Sequence, residues 1–139
     1  MSFTSVIILA AGESSRMGQP KQTLQWEGTT LLQYQISQVA MTSAAELIVV
    51  LGYDSSTFRD LIPKNLSGPG LKVVTNENYF LGKTTSVKAG LRSLDSQSGA
   101  VMILAMDCPR TSSMLQKLID CHVEGIQPVT VPSYQGVDG

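Results

Sequence analysis

The sequence predicts a three-layer α/β fold, a mostly parallel sheet with helices on both faces, built as one domain over residues 1–139. Short apolar runs alternate along the chain with stretches of helical period. The clearest runs are apolar throughout and rich in β-branched residues, as strands buried on both faces are. Their order, β-α-β-α-β-α-β-α-β, is the one that crossover connections join into a parallel sheet.

Residues 6–11 (VIILAA) form the first such run. Leu32, Ile36 and Val39 then fall at i, i+4 and i+7 and give a helix one apolar face. Residues 47–51 (LIVVL) repeat the buried-strand pattern. Phe58, Leu61 and Ile62 form a short helical stripe that Pro63 ends. Residues 67–70 (SGPG) read as a surface loop ahead of a strand at 71–75. Val87, Leu91 and Leu94 make a third stripe, and residues 101–105 (VMILA) a further buried strand. Thr111, Ser112 and Ser113 supply a capping hydroxyl for a helix whose stripe is Leu115, Leu118, Ile119 and His122. A last, shorter strand is expected at 129–131. Residues 132–139 are turn-rich with no closing helix, the expected look of the N-terminal portion of a larger fold.

Composition excludes several classes. The chain is 42% apolar and 15% charged with a net charge of -1, so no broad field points to nucleic acid or an anionic membrane. Two cysteines without a CxxC pair and a single histidine make no zinc set. Cys108 and Cys121 are expected to be buried or inert thiols in a reducing cytoplasm. No basic stretch followed by a long apolar core opens the chain, and its longest apolar run is too short to cross a bilayer. A cytoplasmic location is therefore expected.

In parallel sheets ligands bind beyond the carboxyl ends of the strands, where the strand order reverses. The residues to inspect follow Ala11, surround Asn76 and follow Ala105. After the first strand runs LAAGESSRMGQPK, residues 9–21. Leu9, Ala10, Ala11 and Gly12 end the strand in small residues against which a flat ligand can lie. Ser14, Ser15 and Gly18 keep the loop rich in N–H donors. Arg16 offers a planar fork for phosphate oxygens and Lys21 a mobile point charge. Together they can hold a triphosphate and stabilise the charge on departing pyrophosphate. A solvated strand-to-helix connection with two incidental cations also fits these residues. Neither G-x-x-x-x-G-K-[ST] nor G-x-G-x-x-G is present after the first strand, which excludes the P-loop and dinucleotide readings.

This segment resembles the N-terminal signature of nucleotidyltransferases with a glycosyltransferase-A-like, Rossmann-like α/β fold. They include sugar-phosphate nucleotidyltransferases, the cytidylyltransferase of isoprenoid synthesis and enzymes that attach a nucleotide to molybdopterin. Residues 22–32, with R-M-G-x-P-K before them and paired leucines after Gly28, are most similar to the molybdenum-cofactor (MobA-like) branch. The resemblance implies further sites. Asn76, Gly82 and Ser86 match N-x5-G-x3-S, in which the Gly and Ser lie against the base and ribose; a hydroxyl-rich helix start explains them too. Ala105, Asp107 and Pro109 match an Ala-x-Asp-x-Pro element whose aspartate helps hold Mg²⁺; Asp107 as a turn cap is the alternative.

The implied reaction moves a nucleoside monophosphate from an NTP to molybdopterin or its molybdenum form, a phosphorylated pterin, with release of pyrophosphate. Arg16, Lys21 and Asp107 are the expected catalytic set. The Ala10-Ala11-Gly12 ending resembles that of the cytidylyl members of the family, whereas the guanylyl members tend to Ala-Gly-Gly, so the resemblance implies CTP as donor, with GTP still open. Two alternatives stay open: a sugar or alditol phosphate acceptor, and a truncated, non-catalytic nucleotide-binding domain. His122 reads as a satisfied structural histidine, Cys108 and Trp26 as packing residues, and Lys83 as either a solvated lysine or a ligand contact.

Overall fold

A computed structural model describes residues 2–13, 18–134 and 136–138. In chain order the elements are β1 (Phe3–Ala10), β2 (Gln25–Trp26), β3 (Thr29–Thr30), α1 (Leu31–Ala40), β4 (Glu46–Leu51), α2 (Ser55–Arg59), β5 (Gly70–Thr75), α3 (Lys83–Arg92), β6 (Ser98–Ala105), α4 (Ser112–Glu124), β7 (Ser133–Tyr134) and β8 (Val137–Asp138). The main sheet has four strands in the order β5-β4-β1-β6, every neighbour parallel. Ser5 to Ala10 pair with Glu46 to Leu51, which pair in turn with Gly70 to Thr75.

Strand alternation divides the core in two. Val6, Ile8 and Ala10 point with Leu47, Val49 and Leu51 to one face, where Leu32, Ile36 and Val39 of α1, Phe58 of α2 and Leu115 and Ile119 of α4 cover them. Ile7, Leu9, Ile48 and Val50 point to the other, against Val87, Ala89 and Leu94. The three-layer, parallel α/β reading is what is observed. Each fully buried Leu, Ile or Phe here stabilises the fold by about 1.5–3 kcal/mol. Helix α1 starts on a capping box: the Thr30 hydroxyl accepts from the Gln33 amide, and the Gln33 side chain reaches back to Thr30.

Four expectations are corrected. Residues 129–131 form no strand; the antiparallel pair β7–β8 follows instead. Pro128 and Pro132 bracket that segment and lack donors, and Val129 and Val131 are exposed. On α3 the buried residues are Ser86 and Gly90, while Leu91 is 42% exposed. Helix α3 presents small residues to the sheet and lies close to it. Strand β6 is covered on one face: Leu104 packs inward, whereas Val101 and Ile103 are exposed because α3 lies over β1 and β4. Cys108 and Cys121 are both exposed. His122 does find a partner, its Nδ1 lying 2.9 Å from the Thr130 hydroxyl. Trp26 stands edge-on to Tyr34. Among the described residues no helix is long and apolar enough to cross a membrane.

At the amino-terminal end of the sheet Glu46 is buried. It receives hydrogen bonds from the Ser5 hydroxyl at 2.7 Å and the Asp95 amide at 3.2 Å, and pairs with Lys72 at 2.7 Å. Burial pushes its carboxyl up, but Lys72, Ser5 and Asp95 together outweigh burial and hold it below its ordinary value. A carboxyl lowered on folding contributes stability above its unfolded value, and that contribution is lost as pH falls toward the folded one. Glu46→Gln is therefore expected to cost about 1–3 kcal/mol near neutrality and to flatten the acid limb of stability. Urea unfolding of both proteins across the acid range, with the gap closing as pH falls, checks it.

Candidate functional site

The chain runs from β1 outward through β4 to β5 and then returns to β6 on the other side of β1. The order reverses between β1 and β6, and a cavity of about 290 Å³ opens beyond their carboxyl ends. Its walls gather Leu9, Ala11 and Gly12 from the end of β1, with Lys21 and Gln22 from the following loop. Tyr79, Lys83 and Ser86 close it from the α3 side, and Met106 and Asp107 from β6. A larger cavity of about 530 Å³ runs along the outer edge of β6 and carries Arg110 and His122 but no carboxylate. It lies away from the reversal, so the smaller one is the candidate site.

Lys21 opens a single 3₁₀ turn, Lys21–Thr23, behind Pro20. Its Nζ lies 3.3 Å from Asp107 Oδ2, closing a contact between residues 86 apart in sequence. Asp107 stands two residues past the end of β6 and its side chain is 56% exposed. Burial, the largest single influence, raises its carboxyl, but the Lys21 bond and charge, its own backbone amide and the Cys108 thiol together outweigh it. The net result is a carboxyl below its ordinary range, ionised at neutral pH.

Three expected contact residues stand outside the cavity wall. Ala10 is turned to the α1 face. Asn76 is buried, and its amide donates at 2.9 Å to the hydroxyls of both Thr85 and Ser86 while its Oδ1 accepts from the Asn78 amide. It holds Ser86 in place. Gly82 takes φ 117°, a value side chains avoid, and so sets the entry into α3. Arg16 lies outside the described residues.

The structure adds residues that polarity and pattern passed over. Gly52 follows β4, and a Cβ there would stand 2.7 Å from Tyr79 Cβ and 2.9 Å from Ala11 Cβ. The next amide, Tyr53, donates to the Ala11 carbonyl at 2.9 Å. A glycine directly after an apolar strand was the available signal, the same one that singled out Gly12. Gln22 and Gln35 are almost fully buried, which their polarity alone does not suggest.

Among the described residues no group of three His, Cys, Asp or Glu could hold a metal. Asp107, an ionised and open carboxylate with Glu13 also in the cavity wall, fits instead a hard cation shared with ligand phosphates, the usual way Mg²⁺ is bound.

Residues 6–139 match the family model of the MobA-like NTP transferase domain. The molybdenum cofactor cytidylyltransferase of Escherichia coli K12 is 35% identical across all of this chain, which spans 68% of that protein. A probable molybdenum cofactor guanylyltransferase of Bacillus cereus G9842 is 27% identical over 81% of this chain and 52% of its own length. The crystal structure of Rv0371c from Mycobacterium tuberculosis H37Rv superposes with a TM-score of 0.75 at 26% identity, covering 87% of this chain and 60% of that one. With a fold and a strand-end crevice of nucleotidyltransferase type, the chain belongs to the MobA-like NTP transferase family.

Gly52→Ala tests the packing of the crevice. The added methyl has to displace Tyr79 or Ala11, so a loss of about 1–3 kcal/mol is expected in thermal unfolding. A variant as stable as the parent would show that the Gly52, Ala11 and Tyr79 contact is not tight.

Proposed function

We propose that the chain forms the nucleotide-binding part of a cytidylyltransferase that moves CMP from CTP onto a phosphorylated pterin of the molybdopterin type, with pyrophosphate as the other product. The observation that carries the reading is the Lys21–Asp107 pair, set across the β1/β6 reversal from the small-residue end of β1. A cation suited to phosphate and a carboxylate suited to a metal stand side by side there, in the same cavity wall as Ala11 and Gly12. The cytidylyl choice is supported by Ala10-Ala11-Gly12 and by the similarity to the E. coli cytidylyltransferase. The B. cereus relative keeps GTP as the second donor to test.

In this reading Leu9, Ala11 and Gly12 receive the base, and Ser86 the ribose. Lys21, joined by Arg16, grips the triphosphate. An acceptor phosphate oxygen attacks the α-phosphorus in line, the bond from that phosphorus to the bridging oxygen breaks, and the electron pair leaves with pyrophosphate. Lys21 and Arg16 stabilise the charge that builds on the leaving oxygens. Asp107 would hold Mg²⁺, which supplies charge neutralisation to the phosphates. Without ligand, Lys21 and Asp107 neutralise one another. In the bound state Lys21 would hold phosphate, and Asp107 would be available to hold the cation.

Calorimetric titration with CTP, GTP, ATP and UTP, with and without Mg²⁺, tests the proposal. Selective, Mg²⁺-dependent uptake of CTP is expected; preference for GTP would change the donor, and uptake of none would remove the reading. Lys21→Ala and Arg16→Ala are expected to weaken CTP by about tenfold or more, a charge-assisted bond each, while leaving cytidine nearly unaffected. Equal losses for both ligands would sink the phosphate grip. Asp107→Ala should remove the Mg²⁺ dependence and, by taking a negative charge away from Lys21 and the phosphates, tighten metal-free CTP. An unchanged metal titration would exclude Asp107 from the site.

A further inference from the structure

Both lips of the crevice are held by the same device. From one side, the buried Gln22 amide gives its two N–H groups to the carbonyls of Ala10 at 2.8 Å and Gly12 at 3.3 Å. From the other, the buried Gln35 amide on α1 gives its two to Ala105 at 3.2 Å and Met106 at 3.0 Å. These carbonyls lie where β1 and β6 stop pairing, and Gly12, Ala105 and Met106 are themselves in the cavity wall beside Asp107. An unpaired carbonyl at a strand end can rotate, and with it the next peptide; two donors on one rigid amide plane tie two nearby peptides together, those of Ala10 and Gly12 for Gln22 and the adjacent ones of Ala105 and Met106 for Gln35.

The Gln22 amide is also oriented at a cost. Among the described residues its buried Oε1 has no hydrogen-bond partner, which forfeits the hydration of that oxygen. A side chain present only to fill the volume would carry no such oxygen. The N–H pair is what the position uses.

We infer that Gln22 and Gln35 are paired positioning residues with separable tasks: Gln22 sets the peptides on which the base lies, and Gln35 sets the peptide that aims Asp107 at the phosphates. The inference rests on the nucleotide reading of this crevice. Gln22 touches the floor that any nucleoside would use, so its loss reaches cytidine and CTP alike. Gln35 acts through Asp107, so its loss reaches only what the triphosphate adds.

Gln22→Met and Gln35→Met keep the length and remove the donors. Each removal takes a donor from two carbonyls, of which Ala105 keeps the Cys108 amide at 3.4 Å, so some loss of melting temperature accompanies both. Val39→Ala, a buried α1 substitution facing the core, supplies a destabilised control. Titrations with cytidine and with CTP in Mg²⁺, run well below every melting point, separate the roles. Gln22→Met is expected to weaken both ligands by about tenfold, the loss of about 1.4 kcal/mol. Gln35→Met is expected to weaken CTP by about tenfold and leave cytidine unchanged, and Val39→Ala to change neither. Should Gln22→Met fail to fold, Gln22→Asn, an amide too short to span both carbonyls, is expected to give the same pattern. Variants that bind both ligands like the parent overturn the positioning roles while leaving the nucleotide reading intact. A parent chain that binds no nucleotide overturns that reading and this inference with it.

Discussion

Strand β1 is bonded along both edges, to β4 as far as Ala10 and to β6 as far as Leu9. Both partnerships end within one residue of each other. The peptides that follow still carry donors and acceptors, and a buried backbone group without a partner costs about as much as a lost hydrogen bond. Their partners come from elsewhere in the chain: Gln22 for the carbonyls of Ala10 and Gly12, and the Tyr53 amide for that of Ala11. The crevice exists because sheet pairing stops there, and its shape follows from what replaces it.

Helix α3 shapes the opposite wall by how closely it approaches. Its face toward the sheet is Ser86 and Gly90, so the helix settles near β1 and β4 and brings Ser86 and Lys83 to the cavity. Asn76 then joins the end of β5 to the start of the helix through Thr85 and Ser86. A larger apolar residue at either position would strengthen the amphipathic pattern yet lift the helix, and with it the wall. The open face of β6 shows the reverse case: where no helix lies close, Val101 and Ile103 stay exposed.

Charge is arranged on the same frame. Glu46 is buried at the amino-terminal end of the sheet with a cation and several donors around it, a structural carboxylate. Asp107, at the carboxyl-terminal end, is exposed and held mainly by Lys21. Both carboxyls are lowered, but they differ in access: a ligand can compete for Asp107, whereas Glu46 is enclosed by its partners.

The sequence by itself determined the layer order, the parallel sense of the sheet and the neighbourhood of the crevice. Continuous apolar runs such as 47–51 can be buried only between two layers, and loops after such strands meet at one end of the sheet. The strand expected at 129–131 failed because β-branched residues signal a strand only where a partner edge and donors exist, and two prolines frame that stretch. Leu91 failed because a stripe read by period alone does not say which side a neighbouring strand occupies. What only the tertiary structure decided was the company each residue keeps: Lys21 beside Asp107, Gly52 against Ala11, Gln22 and Gln35 against the strand-end carbonyls. Most of these contacts join distant parts of the chain, and local pattern carries no information about a partner that arrives only when the sheet has closed.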